Sequence, residues 1–181
     1  MRLVDFTVES PVSTSFRAQQ VCAMFDVPPQ EKASLHWKGE LDIDGADWNV
    51  GLIVGPSGCG KSSIMRHLWG NPPPLTWGKP SVIDDFDAKY GVQTVAEVCG
   101  AVGFNTIPAW LRPFAVLSNG EQFRVDLARR LLELPDPIIV DEFTSVVDRQ
   151  VAQIGAHAVA KAVRRNKRKF VAVTCHYDVV D

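Results

Sequence analysis

Apolar positions recur along this chain in two alternating rhythms, short apolar runs and helix-spaced stripes. Leu3 to Val8 reads as a short strand ended by Ser10-Pro11, and Phe16 to Phe25 as a helix behind Ser13 or Thr14 that stops before Val27-Pro28-Pro29. Leu35 to Ile43 has strand character, Asp44-Gly45 turns the chain, and Val50 to Val54 is a wholly apolar strand. Helix-compatible residues follow, up to Gly70-Asn71-Pro72-Pro73-Pro74, which stops them. Ser81-Val82-Ile83 reads as a further short strand. Thr94-x-x-Glu97 and Ser118-x-x-Glu121 are two capping-box patterns. The first precedes a stripe of Val95, Val98, Cys99 and Val102, the second a stripe of Phe123, Leu127, Leu131 and Leu134. Ile138-Ile139-Val140 is a buried strand, Val151, Ile154, Gly155, Ala158, Ala162 and Val163 recur at helical spacing, and Phe170 to Thr174 is the last strand. Strands alternating with helices predict an α/β fold with a mostly parallel central sheet.

Chemistry enters between the third strand and its helix. Gly55-Pro56-Ser57-Gly58-Cys59-Gly60-Lys61-Ser62, followed by Ser63, fits G-x-x-x-x-G-K-S in strand–loop–helix context. Glycines let successive N–H groups turn toward phosphate oxygens. Lys61 supplies a positive charge for the β- and γ-phosphates, Ser62 a hydroxyl for Mg²⁺, and the helix start its positive dipole end. These residues predict a nucleoside triphosphate site on a P-loop fold.

The apolar strand at 138–140 ends in Asp141-Glu142. A carboxylate there can hold Mg²⁺ opposite Ser62, and its neighbour can polarise an attacking water as general base. Between the two motifs lies Leu117-Ser118-Asn119-Gly120-Glu121-Gln122. This segment resembles the signature of ABC ATPases, and its Glu121 is closer to SMC and break-repair ATPases than to most transporter subunits. Phosphate loop, signature, Asp141-Glu142, Asp148 and His176 stand in the ABC order. The resemblance implies a single ABC-type nucleotide-binding domain over 1–181, with a reduced helical subdomain at about 84–134. It further implies ATP as substrate, Mg²⁺, Glu142 as the base, Asp148 as the D-loop aspartate and His176 as the γ-phosphate sensor. Two such domains would sandwich ATP head to tail, each lending Ser118, Asn119, Gly120 and Glu121 to its partner's site, as a homodimer or a heterodimer. Ser118 and Glu121 also suffice as a plain helix cap, and His176 as a surface histidine.

Departures from the pattern shape the rest of the reading. Asn119 replaces a glycine and tolerates a left-handed backbone. The stretch from Lys61 to Ser118 is short for a transporter subunit. Gln93 is the available Q-loop glutamine, though Asp84 and Asp85 hold the expected place and either could hold Mg²⁺. Phe16, Phe25 and Trp37 are candidates for adenine stacking. The chain ends soon after His176, where relatives usually continue through further strands. The resemblance is greatest to small stand-alone ABC-type ATPases of bacteria and phages, some joined to acetyltransferase-like domains, which makes nucleic acid or a DNA-acting protein an expected partner. A transporter nucleotide-binding subunit and an ATP-dependent switch with negligible turnover are the alternatives.

Composition narrows this further. The 181 residues are 46% hydrophobic and 22% charged with a net charge of −2, so any polyanion surface must be local. Lys161, Arg164, Arg165, Lys167, Arg168 and Lys169 form one such cluster, readable as cations at the negative end of a helix or as a nucleic-acid contact. Cys22, Cys59, Cys99 and Cys175 are too scattered for a disulfide framework or a zinc site. No apolar stretch approaches the ~20 residues of a membrane span, and no signal core opens the chain, which predicts a cytoplasmic protein.

Overall fold

The computed structural model describes residues 1–45, 47–145 and 149–177. The chain divides into two compact units, Met1–Ala46 and Asp47–Asp181.

In the first unit, β1 (Arg2–Pro11) pairs antiparallel with β2 (Lys32–Leu41), from Arg2 opposite Leu41 to Pro11 opposite Lys32. The strand runs through Ser10-Pro11 instead of stopping there, because a two-stranded ribbon leaves one side of each strand unbonded and tolerates a missing N–H. Phe6 and Trp37 are register partners and stack at 5.1 Å. Helix α1 (Phe16–Met24) connects the strands, with Ser15 accepting the Ala18 N–H as its cap and no buried residue of its own.

The second unit holds a three-stranded parallel sheet in the order β3 (Val50–Val54), β5 (Phe170–Thr174), β4 (Ile138–Val140). Val54 lies opposite Thr174, and Val140 opposite Ala172. Side chains alternate across the sheet with the strand period of two. Phe170 and Ala172 of β5, with Ile138 and Val140 of β4, point into the larger core. That core also takes in Val95 and Cys99 of α4 (Val92–Ala101), Leu127 and Leu131 of α6 (Asn119–Glu133), and Val159 and Val163 of α7 (Arg149–Arg165). Val171, Val173 and Ile139 point the other way, onto Met65 of α2 (Lys61–Trp69). Helices therefore cover both faces, and β5 is buried along its whole length.

Three expectations are corrected. Residues 81–83 begin a short helix, α3 (Val82–Asp85), not a strand. A three-residue apolar run cannot tell the two apart, and here side chains decide: Asp85 Oδ1 accepts the Gly78 and Lys79 N–H groups at 3.2 Å, and Ser81 donates to Asp84. These bonds close a local turn in which both carboxylates are already engaged. Helix α4 starts at Val92 with Gly91 as its cap residue, so Thr94 is interior and caps nothing. On α7 the buried stripe is Ala152, Gly155, Val159 and Val163, while Ile154 is 69% exposed. The apolar side chains there ran around more than one face, and the small Gly155 is buried where Phe123 approaches, 3.3 Å from where a Cβ would stand. Between α4 and α6 lie α5 (Ile107–Trp110) and a 3₁₀ turn at Phe114–Val116. Among the described residues no helix is long and apolar enough to cross a membrane.

Candidate functional site

Parallel strands deliver their C-terminal ends to one edge, where ligands of open α/β sheets bind. Here β3 runs into the phosphate loop, β4 into Asp141 and Glu142, and β5, between them, toward His176. Order along the sheet thus gathers residues far apart in sequence.

Loop geometry follows from its glycines. Gly58 and Gly60 have φ of 76° and 92°, left-handed values that strain any side chain. Gly55 is buried, and a Cβ there would lie 2.9 Å from the Cys59 sulfur. Pro56, Ser57, Gly58 and Cys59 are exposed along the turn. Gly60 is the N-cap of α2 and brings no side-chain cap, and the first turn of α2 contains no acidic residue. Its N-terminal N–H groups are therefore a receptor for an external anion. The Lys61 ammonium donates to the Gly55 carbonyl at 2.9 Å and the Pro56 carbonyl at 2.8 Å. An ammonium has three donors, so one remains for a ligand while two brace the loop.

Ser62 Oγ donates to Asp141 Oδ1 at 2.9 Å, joining the phosphate loop to the end of β4. Asp141 Oδ1 also accepts the Glu142 N–H at 3.0 Å. Arg66 stands 3.8 Å from Asp141 Oδ2. That contact was not foreseen from the sequence, although Arg66 sits four residues after Ser62, hence on the same helix face. Ser63, next to Ser62, is half-buried at the start of α2. Glu142 itself is exposed with φ of 53°, a left-handed backbone where the chain leaves the strand.

His176 is half-buried beyond β5. Its backbone N–H donates to Thr174 Oγ1 at 3.1 Å, and its ring Nδ1 lies 3.3 Å from Thr144 Oγ1. Asp148 lies outside the described residues.

The signature segment opens α6. Ser118 Oγ accepts the Glu121 N–H at 3.4 Å, while Glu121 Oε2 accepts the Ser118 N–H at 2.9 Å and its hydroxyl at 2.8 Å, a complete capping box. The Ser118 backbone N–H first, then its hydroxyl, hold the Glu121 carboxyl below its ordinary value. Asn119 is the first residue of the helix, in right-handed conformation, so the left-handed turn that asparagine would have tolerated does not arise. Gly120 follows, with Arg124 lying over it at 3.5 Å from a notional Cβ. A groove of about 410 Å³ is lined by Asn119 and Gln122 of α6 together with Asp141, Glu142 and Ser145. Gln122, overlooked in the sequence, is thus beside the carboxylates, and its amide donates to the Phe114 carbonyl at 3.0 Å. Gln93, by contrast, is on α4 with its amide 3.5 Å from Glu97.

Phe16, Phe25 and Trp37 all belong to the N-terminal unit, Phe16 and Phe25 being exposed. Of the basic cluster, Arg168 is structural. It bonds Asp136 at 2.6 Å and the Leu131 and Leu134 carbonyls at 3.1 and 2.6 Å, while Lys169 lies over the Trp48 ring.

Comparison with known proteins agrees with this geometry. No protein-family profile matches the chain. It is 27% identical to the molybdenum import ATP-binding protein of Rhodobacter capsulatus over 62% of this chain and 42% of that protein. It is 29% identical to the spermidine/putrescine import ATP-binding protein of Ruegeria pomeroyi over 61% and 40%. A zinc import ATP-binding protein of Aliivibrio fischeri is 25% identical over 91% of this chain and 70% of that one. The chain thus spans about two fifths of the length of the first two. Among solved structures, an ABC transporter in an inward-facing conformation superposes with a TM-score of 0.52 at 18% identity, over 77% of this chain and 65% of that chain. The fold is the ABC-type P-loop nucleotide-binding fold. Fold and relatives together support an ABC-class P-loop ATPase.

Proposed function

We propose that this protein binds ATP and hydrolyses it in a Mg²⁺-dependent reaction, using ATP to drive pairing of two nucleotide-binding domains. The observation carrying this reading is the 2.9 Å bond between Ser62 of the phosphate loop and Asp141 at the end of β4, with the exposed Glu142 next to it in the chain. A hydroxyl and a carboxylate converging at a phosphate-binding loop are the donor set that Mg²⁺ takes alongside nucleotide phosphates, and the ion supplies charge neutralisation when bound. Gly55 to Ser63 hold the phosphates through backbone N–H groups, with Lys61 contributing its charge. Glu142 accepts a proton from the attacking water, and His176 contacts the γ-phosphate. Ser118, Asn119, Gly120 and Glu121 face the nucleotide of a partner domain, either a second copy or another ABC-type subunit, with Asp148 beside that interface. The protein works in the cytoplasm as one ABC-type domain.

Light scattering of Glu142→Gln with and without Mg²⁺-ATP tests this. The amide cannot take the proton, so turnover should fall roughly 10²- to 10⁴-fold while ATP binding persists. A shift from monomer to dimer with ATP, removed by Ser118→Arg, is the expected outcome. A protein that binds ATP and stays monomeric would defeat the homodimer and direct the search to a different second subunit.

The coupled work has two readings. Three of the relatives are import ATP-binding proteins by name, which favours a transporter's nucleotide-binding subunit. Co-purification with a membrane protein from the native cell would establish it. The stand-alone reading, with a role in DNA modification or repair, rests on the short helical region and on the exposed Lys161, Arg164, Arg165 and Lys167. DNA-stimulated ATP hydrolysis, lost when these four are made alanine, is its test. An ATP-dependent switch without turnover would show tight binding with no more than one phosphate released per site.

A further inference from the structure

Thr144 is fully buried and has φ of 67°. A β-branched residue in the left-handed region is a true outlier, and it persists where its surroundings impose it. Three contacts show what imposes it. The preceding residue, Phe143, donates its N–H to the Val173 carbonyl of β5 at 2.7 Å, tying the chain after β4 to its neighbouring strand. Thr144 Oγ1 then donates to the Phe143 carbonyl at 2.5 Å and lies 3.3 Å from Nδ1 of His176.

A hydroxyl has one proton. With that proton on the much shorter bond to the Phe143 carbonyl, the oxygen faces His176 as an acceptor, an arrangement that calls for the hydrogen on Nδ1. We propose that Thr144 is a positioning residue for His176, holding the imidazole in its Nδ1–H form and fixing the ring between the exits of β4 and β5. Which ring nitrogen bears the proton is set by the bond the other makes. With Nδ1–H engaged, Nε2 is left with its lone pair in the neutral ring, and it donates to a phosphate oxygen only as the imidazolium. His176 is therefore oriented before any nucleotide arrives. The consequence for turnover rests on the γ-phosphate role proposed above for His176, whereas the tautomer itself does not.

The test uses the full chain with ¹⁵N-labelled histidine and no nucleotide. Long-range ¹H–¹⁵N spectra give the tautomer of each of the four histidines, with His176 assigned by its loss in His176→Gln. In the wild type, His176 should show a protonated Nδ1 and a bare Nε2. Thr144→Val keeps the branched shape, and hence the backbone strain, but removes the acceptor, and should shift His176 toward Nε2–H. Thr144→Ser should restore the original pattern. In steady-state kinetics Thr144→Val should lose about tenfold in kcat with KM unchanged, and Thr144→Ser should stay within about twofold, as for other residues that orient a functional histidine. A wild-type His176 in the Nε2–H form overturns the proposal even if Thr144→Val does not fold. So does a Thr144→Val spectrum identical to wild type. A changed tautomer with unchanged kcat upholds the positioning by Thr144 and defeats the γ-phosphate role of His176. A protein that lacks ATPase activity defeats the proposed function, while the spectra still decide the tautomer.

Discussion

Two helices of this molecule, α2 and α6, begin at segments whose sequences predict phosphate contacts, and they begin in opposite ways. Helix α2 starts from Gly60, which offers no side-chain cap, and has no acid in its first turn. Helix α6 starts from Ser118 with both halves of a capping box closed, and the Glu121 carboxylate already occupies the place of an anion. Unsatisfied N–H groups at a helix start bind an external anion only if the chain has not supplied one. The phosphate loop is thus an open receptor in the isolated chain, whereas the signature helix is occupied by its own carboxylate. For a partner's phosphate to sit at Ser118, Glu121 must release it or share it. Under the function proposed above, the same dipole would make the start of α2 the primary phosphate site and the start of α6 a conditional one.

The largest effect should come from the open end. Lys61→Ala removes the third donor of the ammonium along with the two that brace Gly55 and Pro56. Loss of a charge-assisted bond to phosphate, roughly 3 kcal/mol, corresponds to about a hundredfold in affinity. Calorimetric titration with Mg²⁺-ATP measures it, and affinity within about threefold of wild type would mean that the loop amides alone hold the nucleotide.

Cysteine labelling compares the open end with the core. Cys59 and Cys175 are exposed, whereas burial pushes the Cys99 thiol up to about 12. A maleimide should modify the first two in the folded protein and Cys99 only after denaturation, since reactivity needs the thiolate and access to it. Mg²⁺-ATP should protect Cys59, within the phosphate loop, and leave Cys175 labelled. Equal protection of both would show that the nucleotide acts through a wider conformational change.

Much of this contrast was legible in the sequence. The phosphate loop is local, eight consecutive residues whose spacing encodes the backbone they form, so Gly58 and Gly60 could be assigned their turns before any coordinates. The capping box at Ser118 and Glu121 is equally local. Positions that depend on distant partners were not legible. The run at 81–83 became helical through Asp85 bonding Gly78 and Lys79, a choice made by side chains rather than by periodicity. Thr94 has the residue type of a cap yet is inside α4, because the extended Gly91 starts the helix first. Arg66 reaches Asp141, and Gln122 shares a groove with both carboxylates, only because β4 carries Asp141 to the same sheet edge as the phosphate loop, a fact of strand order that no spacing in the sequence states.

A smaller effect tests the closed end. Ser118→Ala removes the acceptor of the Glu121 N–H and one of the two donors to its carboxylate. Loss of an N-cap of this kind costs about 1 kcal/mol, to be read as a lower midpoint in urea unfolding with an unchanged slope. Gly60→Ala would be the matching change at α2. There the cost arises from forcing a side chain into a left-handed φ, and nucleotide affinity should fall with stability, whereas for Ser118→Ala affinity in the monomer should not change.

The smallest effect separates Glu121 as a cap from Glu121 as a competitor for phosphate. Its carboxyl is held below the ordinary value by the Ser118 N–H and hydroxyl, so the folded state favours the ionised form. A depressed folded value means that the stabilisation is complete above the unfolded value and disappears as pH falls through the lower, folded one. Solvent screening at this accessible position keeps it small, about 0.5 kcal/mol or less. Glu121→Gln should therefore lower the thermal midpoint slightly at neutral pH and not at all in acid below the folded value. Pairing should respond with the opposite sign. Removing the resident anion frees the helix start for a partner's phosphate, so in the Glu142→Gln background ATP-driven dimerisation should need less protein when Glu121 is also Gln. Should dimerisation weaken together with stability, the carboxylate contributes to the interface as well as to the cap, and the two helix starts differ in degree rather than in kind.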